Sequence, residues 1–278
     1  MISSFIITFR ETLEAALVVG IVLAYLVKTK KEKYNPIVYI AVVSAVIASI
    51  LGAFLFNALA GGFEGRAEQI FEGISMLFAA FLLTFMILLM MKQKHIVVEL
   101  HKKVSTELKE RHKFGLFSLV FISVLREGIE TVIFLGAASF IAAGSNSAIG
   151  AVLGIIGAII LGYMLFVLSK RIDIKKFFNV TSVLLVLFAA GLVAHGVHEF
   201  EEAGIIPIVV EHVWDINPLQ NPDGSYPALH ENGAIGSILK GLLGYNGNPS
   251  LIEVLSYFAY IILILILWGN IERIHRVI

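Results

Sequence analysis

The sequence predicts an all-α polytopic membrane protein of seven transmembrane helices, built as a 3+3 inverted repeat plus one extra helix. Three observations carry that expectation: an apolar composition, seven long apolar runs bounded by charge, and a charged five-residue motif that occurs twice. Of 278 residues, 58% are apolar and 15% charged, against about 45–50% and about 25% in an ordinary soluble domain. A soluble globular protein is thereby excluded. Lys plus Arg and Asp plus Glu each number 21, so no basic excess argues for nucleic acid as a partner. Cysteine is absent, which removes disulfides, thiolate metal sites and cysteine nucleophiles together. Any metal must be held by carboxylate, imidazole, carbonyl, hydroxyl or thioether groups.

About 20 apolar residues cross the hydrocarbon core as a helix, and runs of that length fall at roughly 3–27, 37–60, 69–91, 115–142, 147–169, 177–199 and 251–270. The first run is not read as a signal peptide, because it lacks a basic N-terminal region and carries Arg10, Glu11 and Glu14 within it. Short loops rich in Lys and Arg stay cytoplasmic. Such loops follow the first run (Lys28, Lys30, Lys31, Lys33), the third (Lys92 to Lys113) and the fifth (Lys170, Arg171, Lys175, Lys176), and Arg273 and Arg276 end the chain. The opposite connections hold Glu64, Arg66 and Glu68, then the uncharged Ala143 to Asn146, then an acidic segment with Glu201, Glu202, Glu211, Asp215, Asp223 and Glu231. The expected topology is N-terminus outside and C-terminus inside.

The expected organisation is a first three-helix repeat over 1–92, a cytoplasmic amphipathic linker over 93–113, a second three-helix repeat over 114–202, an extracytoplasmic loop or cap over 203–248, and the seventh helix with the C-terminus over 249–278. The linker places Ile96, Leu100, Val104 and Leu108 four apart among Lys, Glu and His, the pattern of a helix lying on the cytoplasmic leaflet. His95, His101 and His112 are read as surface residues of that helix. The external segment contains Pro207, Pro218, Pro222 and Pro227, with Asn-Pro-Asp-Gly at 221–224 as a turn signal.

The repeat rests on Arg10-Glu11-Thr12-Leu13-Glu14 in the first run and Arg126-Glu127-Gly128-Ile129-Glu130 in the fourth. Three helices per unit relates the halves by inverted topology, an arrangement common among secondary transporters. The second and fifth runs each carry a ridge of small residues, Ala41, Ala45, Ser49, Ala53 and Gly150, Gly154, Ala158, Gly162, expected to allow close helix packing. The first motif lies roughly 10–18 Å along its helix from the outer end and the second at similar depth from the inner end, so both meet near the bilayer midplane. Within a motif the two Glu are three apart and share a face, while Arg and the second Glu are four apart and can pair. Four carboxylates against two guanidiniums leave an excess of negative charge where each isolated charge costs at least about 2.5–3.5 kcal/mol. Internal ion pairs alone need one Glu per Arg. The second Glu of each motif calls for a proton or a cation, and cation binding by Glu11, Glu14, Glu127 and Glu130 is the reading adopted.

A second constellation is expected at the outer face. Glu64, Glu68 and Glu72 form a stripe of spacing four at the start of the third run, and His195, His198, Glu199, Glu201 and Glu202 close the sixth. Glu68, Glu72, His195, His198 and Glu199 are the candidate capture site, a mixed imidazole and carboxylate set suited to a transition metal. Glu64, Glu201 and Glu202 also read as ordinary acids of a hydrated helix end. Met86, Met90 and Met91 are taken as packing residues. Carboxylates suit hard or borderline cations, so iron and manganese are the expected substrates, with iron(III) the best match to an all-carboxylate site.

These residues resemble the oxidase-dependent iron permeases, also called the iron/lead transporter family, whose hallmark is Arg-Glu-x-x-Glu in the first and fourth of seven membrane helices. The likeness continues through FEGISMLFAAFLLTFMILLMM at 71–91, HGVHEFEEAG at 195–204 and GLLGYNGNPSLIEVLSYFAYI at 241–261. The resemblance implies iron as transported substrate with no cofactor, uptake across the plasma membrane by a multi-pass protein among membrane lipid, and a translocation path through Glu11, Glu14, Glu127 and Glu130. It further implies an extracytoplasmic partner such as an iron oxidase or an iron-delivery protein. Thr12 stands where glycine is common in the family. Longer bacterial relatives carry a soluble N-terminal domain that is not expected here. The competing readings are a metal-dependent membrane enzyme, disfavoured because no His-Glu-x-x-His occurs, and a proton-coupled carrier of another cation.

Overall fold

A computed structural model of the chain describes residues 1–92, 104, 113–141, 146–166, 174–221 and 225–277. The described residues form helices without strands: α1 Ile2–Lys28, α2 Asn35–Ala60, α3 Arg66–Lys92, α4 Lys113–Ile141, α5 Asn146–Phe166, α6 Ile174–Glu202, the short α7 Gly236–Leu243, and α8 Leu251–Val277. Each apolar run expected from the sequence falls on one of the long helices. The expected linker helix at 93–113, most of the connection at 143–146 and the centre of the Asn221 turn lie outside the described residues, as do the side chains of Met90 and Met91.

Among the described residues, five helices are long and apolar enough to cross a membrane, within Glu32–Ala60, Arg66–Leu89, Ser147–Phe166, Val180–Glu202 and Leu251–Asn270. α1 and α4 are as long but each carries three charged residues of an Arg-Glu-x-x-Glu motif. The outward faces of α2, α5 and α8 are lined by exposed Ile50, Leu51, Phe54, Ile159, Ile160, Leu263 and Leu265. So continuous an apolar surface is untenable in water and is solvated by lipid.

The most extensive pairings are α1 with α5, α2 with α4, and α3 with α6, followed by α6 with α8. Small residues make each one close. A Cβ at Gly154 of α5 would meet Thr8 and Phe5 of α1; one at Gly128 of α4 would meet Ser49 of α2; and Gly73 of α3 lies against Gly196 of α6. The two small-residue ridges therefore hold α4 and α1, the motif-bearing helices, by van der Waals contact of the kind that replaces the hydrophobic effect within lipid.

Two apolar clusters fill the interior. One joins Ile7 to Phe134 and Ile141, with Met76, Leu83, Leu192 and Tyr260. The other joins Val22 and Leu26 to Leu116 and Val120, with Val38 and Ala45. The start of α1 thus packs with the end of α4 and the reverse, so the two helices run antiparallel. The charged motifs, at 10–14 and 126–130, lie between the two clusters.

Residues 205–221 and 225–250 return over the end of the bundle where α6 stops and α8 starts. Gly204, at φ 67°, ends α6: its N–H donates to Glu201 O and that of Ile205 to Phe200 O, the two-bond Schellman closure that needs a left-handed residue. The chain then runs beside itself, with Val213 N donating to Pro249 O, Ile216 N to Gly247 O and Leu251 N to Val210 O. Gly244 closes α7 in the left-handed region at φ 69° and lies directly on Gly191 of α6.

That last contact yields a prediction. A Cβ at Gly191 would sit 2.6 Å from the Gly244 Cα, and backbone cannot yield as a side chain would. Gly191→Ala is expected to cost about 1–3 kcal/mol, read as a lower thermal-unfolding midpoint of the purified protein. Gly52→Ala, where no atom lies within 4 Å of the new Cβ, is the matched control and should leave the midpoint unchanged or raise it.

Candidate metal centre

The α1 motif is sealed. Arg10 is 0% exposed and Glu11 1%, held between the apolar clusters. The Arg10 guanidinium spans both acids of its own motif, with Nη1 3.1 Å from Glu11 Oε1 and Nη2 3.1 Å from Glu14 Oε1. Nη1 also donates to Met86 Sδ on α3 at 2.9 Å. Met86 is thus a packing residue, as its helical spacing predicts, and in addition an acceptor that helps fix the arginine. The contact to Glu14 is one of charge without hydrogen-bond alignment.

The α4 motif repeats the fork. Arg126 reaches Glu127 Oε1 through Nη2 at 2.6 Å and through Nε at 3.1 Å, and its Nε lies 3.4 Å from Glu130 Oε1. The environments differ, however. Glu127 is buried, while the Arg126 side chain is 60% exposed where that of Arg10 is 0%. One guanidinium is locked inside the bundle and the other lies at its surface.

Between the forks the carboxylates converge. Glu11, Glu14 and Glu127 each offer one oxygen, and these oxygens lie within 4.8 Å of one another. Glu130 stands outside that trio. Glu11 Oε2, Glu127 Oε2 and Glu130 Oε2 are buried without a hydrogen-bond partner, a costly condition for acceptors in a low-dielectric interior. Oxygen donors from two antiparallel helices, in excess of the guanidiniums that face them, form a ligand set for a hard or borderline cation.

The outer end holds a second constellation that only partly follows sequence spacing. Glu68 and Glu72 of α3 face Glu199 and Glu202 of α6 closely enough to interact electrostatically, and Gln69 Nε2 donates to Glu202 Oε2 at 3.0 Å. His198 joins this acidic row to α8. Its Nε2 is 3.1 Å from Glu202 Oε1 and its Nδ1 3.0 Å from Glu253 Oε1 of α8. His195, one turn earlier, lies with His198, Glu201 and Glu202 on a cavity of about 470 Å³, whose other wall is the 205–250 segment. The five residues expected from the sequence at this end therefore divide between the acidic row and the cavity.

Two residues there lie outside the expected capture set. Glu201, which also read as an ordinary surface acid, is 4% exposed and accepts a bond of 2.6 Å from Ser250 Oγ. Glu253 went unremarked, although Ser250-Leu251-Ile252-Glu253 has the spacing of a capping box. The structure forms that box: Ser250 N donates to Glu253 Oε1 at 3.0 Å and Glu253 N to Ser250 Oγ at 3.2 Å. Asn246 Nδ2 donates to the second oxygen of Glu253, so the cap also aims this carboxylate at His198.

The chain matches the iron permease FTR1 family over residues 1–275. It is 33% identical over 271 residues to the ferrous iron permease EfeU of Yersinia pestis, covering 96% of this chain and 93% of that protein. It is 33% identical over 267 residues to that of Yersinia pseudotuberculosis, covering 95% and 90%. It is also 33% identical over 266 residues to that of Escherichia coli O6:H1, covering 94% and 93%. No solved structure matches it. With the match spanning both charged motifs and all eight helices, the chain belongs to the iron permease FTR1 family.

Proposed function

We propose that this chain imports iron across the plasma membrane through the carboxylates of its two Arg-Glu-x-x-Glu motifs. The observation that carries the reading is the convergence of Glu11, Glu14 and Glu127, with buried oxygens left unpartnered, between two antiparallel helices. Glu130, on the same face of α4, completes the path. The ion exchanges its water shell for these oxygens, and the two arginines position the carboxylates without touching the ion. An arginine at mid-depth is not left to lipid, so the exposed Arg126 borders the aqueous route. The curated relatives are named for ferrous iron, and Fe²⁺ is adopted here over the iron(III) that carboxylates alone favour. A membrane enzyme or a proton-coupled carrier of another cation would use the same groups; the relatives' names as permeases favour transport of iron.

In this reading α1 to α6 and α8 are seven spans, with N-terminus outside and C-terminus inside, 1–92 and 114–202 are inverted repeats joined by 93–113, and 203–248 is an outer cap. Two features support it. Exchanging α1 with α4, α2 with α5 and α3 with α6 maps the three dominant helix pairings onto themselves, as an inverted repeat demands. The lysines that end α1 and begin α4 lie at the end of the bundle opposite the acidic cap. Glu68, Glu72, His198 and Glu199 capture the ion at the mouth, where an extracytoplasmic iron oxidase or iron-delivery protein would dock, and rocking of the repeats among the membrane lipids exposes it inward.

Three expected outcomes test this. Because the chain has no cysteine, Leu219→Cys and Lys30→Cys give clean topology probes. A membrane-impermeant maleimide should label the first on intact cells and the second only after lysis; the reverse pattern inverts the topology. Glu14→Gln and Glu130→Gln should each abolish iron uptake into proteoliposomes while insertion and yield stay normal, and full uptake by both would remove these residues from the path. Arg10→Lys should lower the maximal uptake rate by about tenfold to a hundredfold, because an ammonium cannot span two carboxylates as the fork does. Wild-type kinetics in that variant would leave charge balance as the arginine's only contribution.

A further inference from the structure

We propose that the outer cavity contains a second metal site, formed by His195, His198 and Glu201 of α6 with Glu253 of α8, which takes a first-row divalent transition ion before it reaches the carboxylates between α1 and α4. The site deepens the uptake reading by naming a receiving position, and rests on that reading for its role but not for its chemistry.

Geometry comes first. One ligand atom each from His198, Glu201 and Glu253 lies within 4.8 Å of the others, a spread that a bound ion would draw in to the separations of adjacent ligands at about 2.0–2.2 Å from it. His195 stands outside that trio but lines the same cavity from the same helix face, three residues before His198, and is the fourth donor the proposal assigns. Its Nδ1 lies 3.0 Å from Gly191 O, and a carbonyl can only accept, so Nδ1 carries the proton and the Nε2 lone pair is free. That is how an imidazole ligand is held in register for a metal. His195 is 8% exposed and its Nε2 has no partner; Glu201 is 4% exposed and its Oε1 has none. Two buried atoms with unmet lone pairs thus belong to one cavity.

The surroundings are built for a cation. The Ser250 cap and Asn246 hold Glu253, and Ser250 Oγ anchors Glu201, so both carboxylates are oriented in advance. His198 faces Glu202 and Glu253 through its two ring nitrogens and would release a proton to take the ion, as an imidazole ligand must. Two carboxylates with two imidazoles then leave a charge of opposite sign to a divalent ion, and mixed nitrogen and oxygen donors select the borderline first-row metals over Ca²⁺ or Mg²⁺. Lys240, on the same cavity, is turned to Glu231 at 3.6 Å.

The test is Co²⁺ binding to the purified full-length protein, followed by equilibrium dialysis and by the visible d–d absorption that reports imidazole ligation. The quadruple variant Glu11→Gln, Glu14→Gln, Glu127→Gln, Glu130→Gln should retain the absorbing Co²⁺. His195→Ala, which keeps a helix-favouring residue, and Glu253→Gln, which keeps one oxygen to accept from the Ser250 cap, should each weaken it by about tenfold or more in protein that still unfolds in one cooperative thermal transition. Loss of the signal in the quadruple variant would place the ion between α1 and α4 and overturn the proposal. So would unweakened binding in both single variants, or no Co²⁺ uptake at all. Should the quadruple variant transport iron normally while still binding Co²⁺, the midplane reading fails and the outer site stands.

Discussion

Burying more carboxylates than guanidiniums at the centre of an apolar bundle is the constraint on which the rest of this structure depends. Each isolated charge at such a depth costs at least about 2.5–3.5 kcal/mol, and pairing offsets that cost only where geometry and hydrogen bonds are complete. Here they are incomplete by construction. Each arginine forks between the two acids of its own helix, yet one oxygen of Glu11, of Glu127 and of Glu130 remains buried without a donor. A permanently satisfied network would hold two helices together and do nothing more. In the proposed path, the unmet oxygens are what would make a passing cation a favourable occupant.

Keeping such a centre from being flooded or pulled apart falls to the packing around it. Apolar clusters lie to either side of the motifs along α1 and α4, and the small-residue ridges of α5 and α2 bring backbone close to backbone against these helices. The crossed arrangement, in which a ridge from one half grips the motif helix of the other, ties the two proposed repeats together at the level of the ion. It also means that relative motion of the halves would be felt at once by the carboxylates. Arg10 and Arg126 differ in exposure although their sequences match, so the two halves present unequal faces of one motif in this conformation.

The outer end follows a different logic. There a helix terminus supplies both the donors that orient a carboxylate and the turn that brings a distant helix near. The Ser250 capping box would be a local stabilising device on any helix, and on α8 it also aims Glu253 at His198. Gly204 and Gly244 make this possible, since each reverses the chain in a left-handed conformation, and Gly244 does so against α6 at a distance no side chain would permit.

Much of this was legible in the sequence because it rests on local rules. Helix positions follow from apolar run length, and the three-and-four spacing of Arg10, Glu11 and Glu14 dictates which side chains share a face before any tertiary contact exists. The doubling of the motif likewise announces that two helices must bring their charges to each other, since neither can leave them in lipid. What lay beyond the sequence was every contact between residues far apart in the chain. That Glu11, Glu14 and Glu127 form the tight trio while Glu130 stands aside, that Arg10 donates to Met86, and that Arg126 is exposed depend on helix rotation and on which ridge meets which helix. Glu201 stood outside the expected capture set, and Glu253 was missed, for the same reason. Their surroundings are set by the segment between α6 and α8, whose described residues, 205–221 and 225–250, include the short α7 and are placed by two left-handed glycines and a few backbone hydrogen bonds, not by any periodicity. Periodicity determines which face of a helix carries charge; only the packing of one helix on another decides what that charge meets.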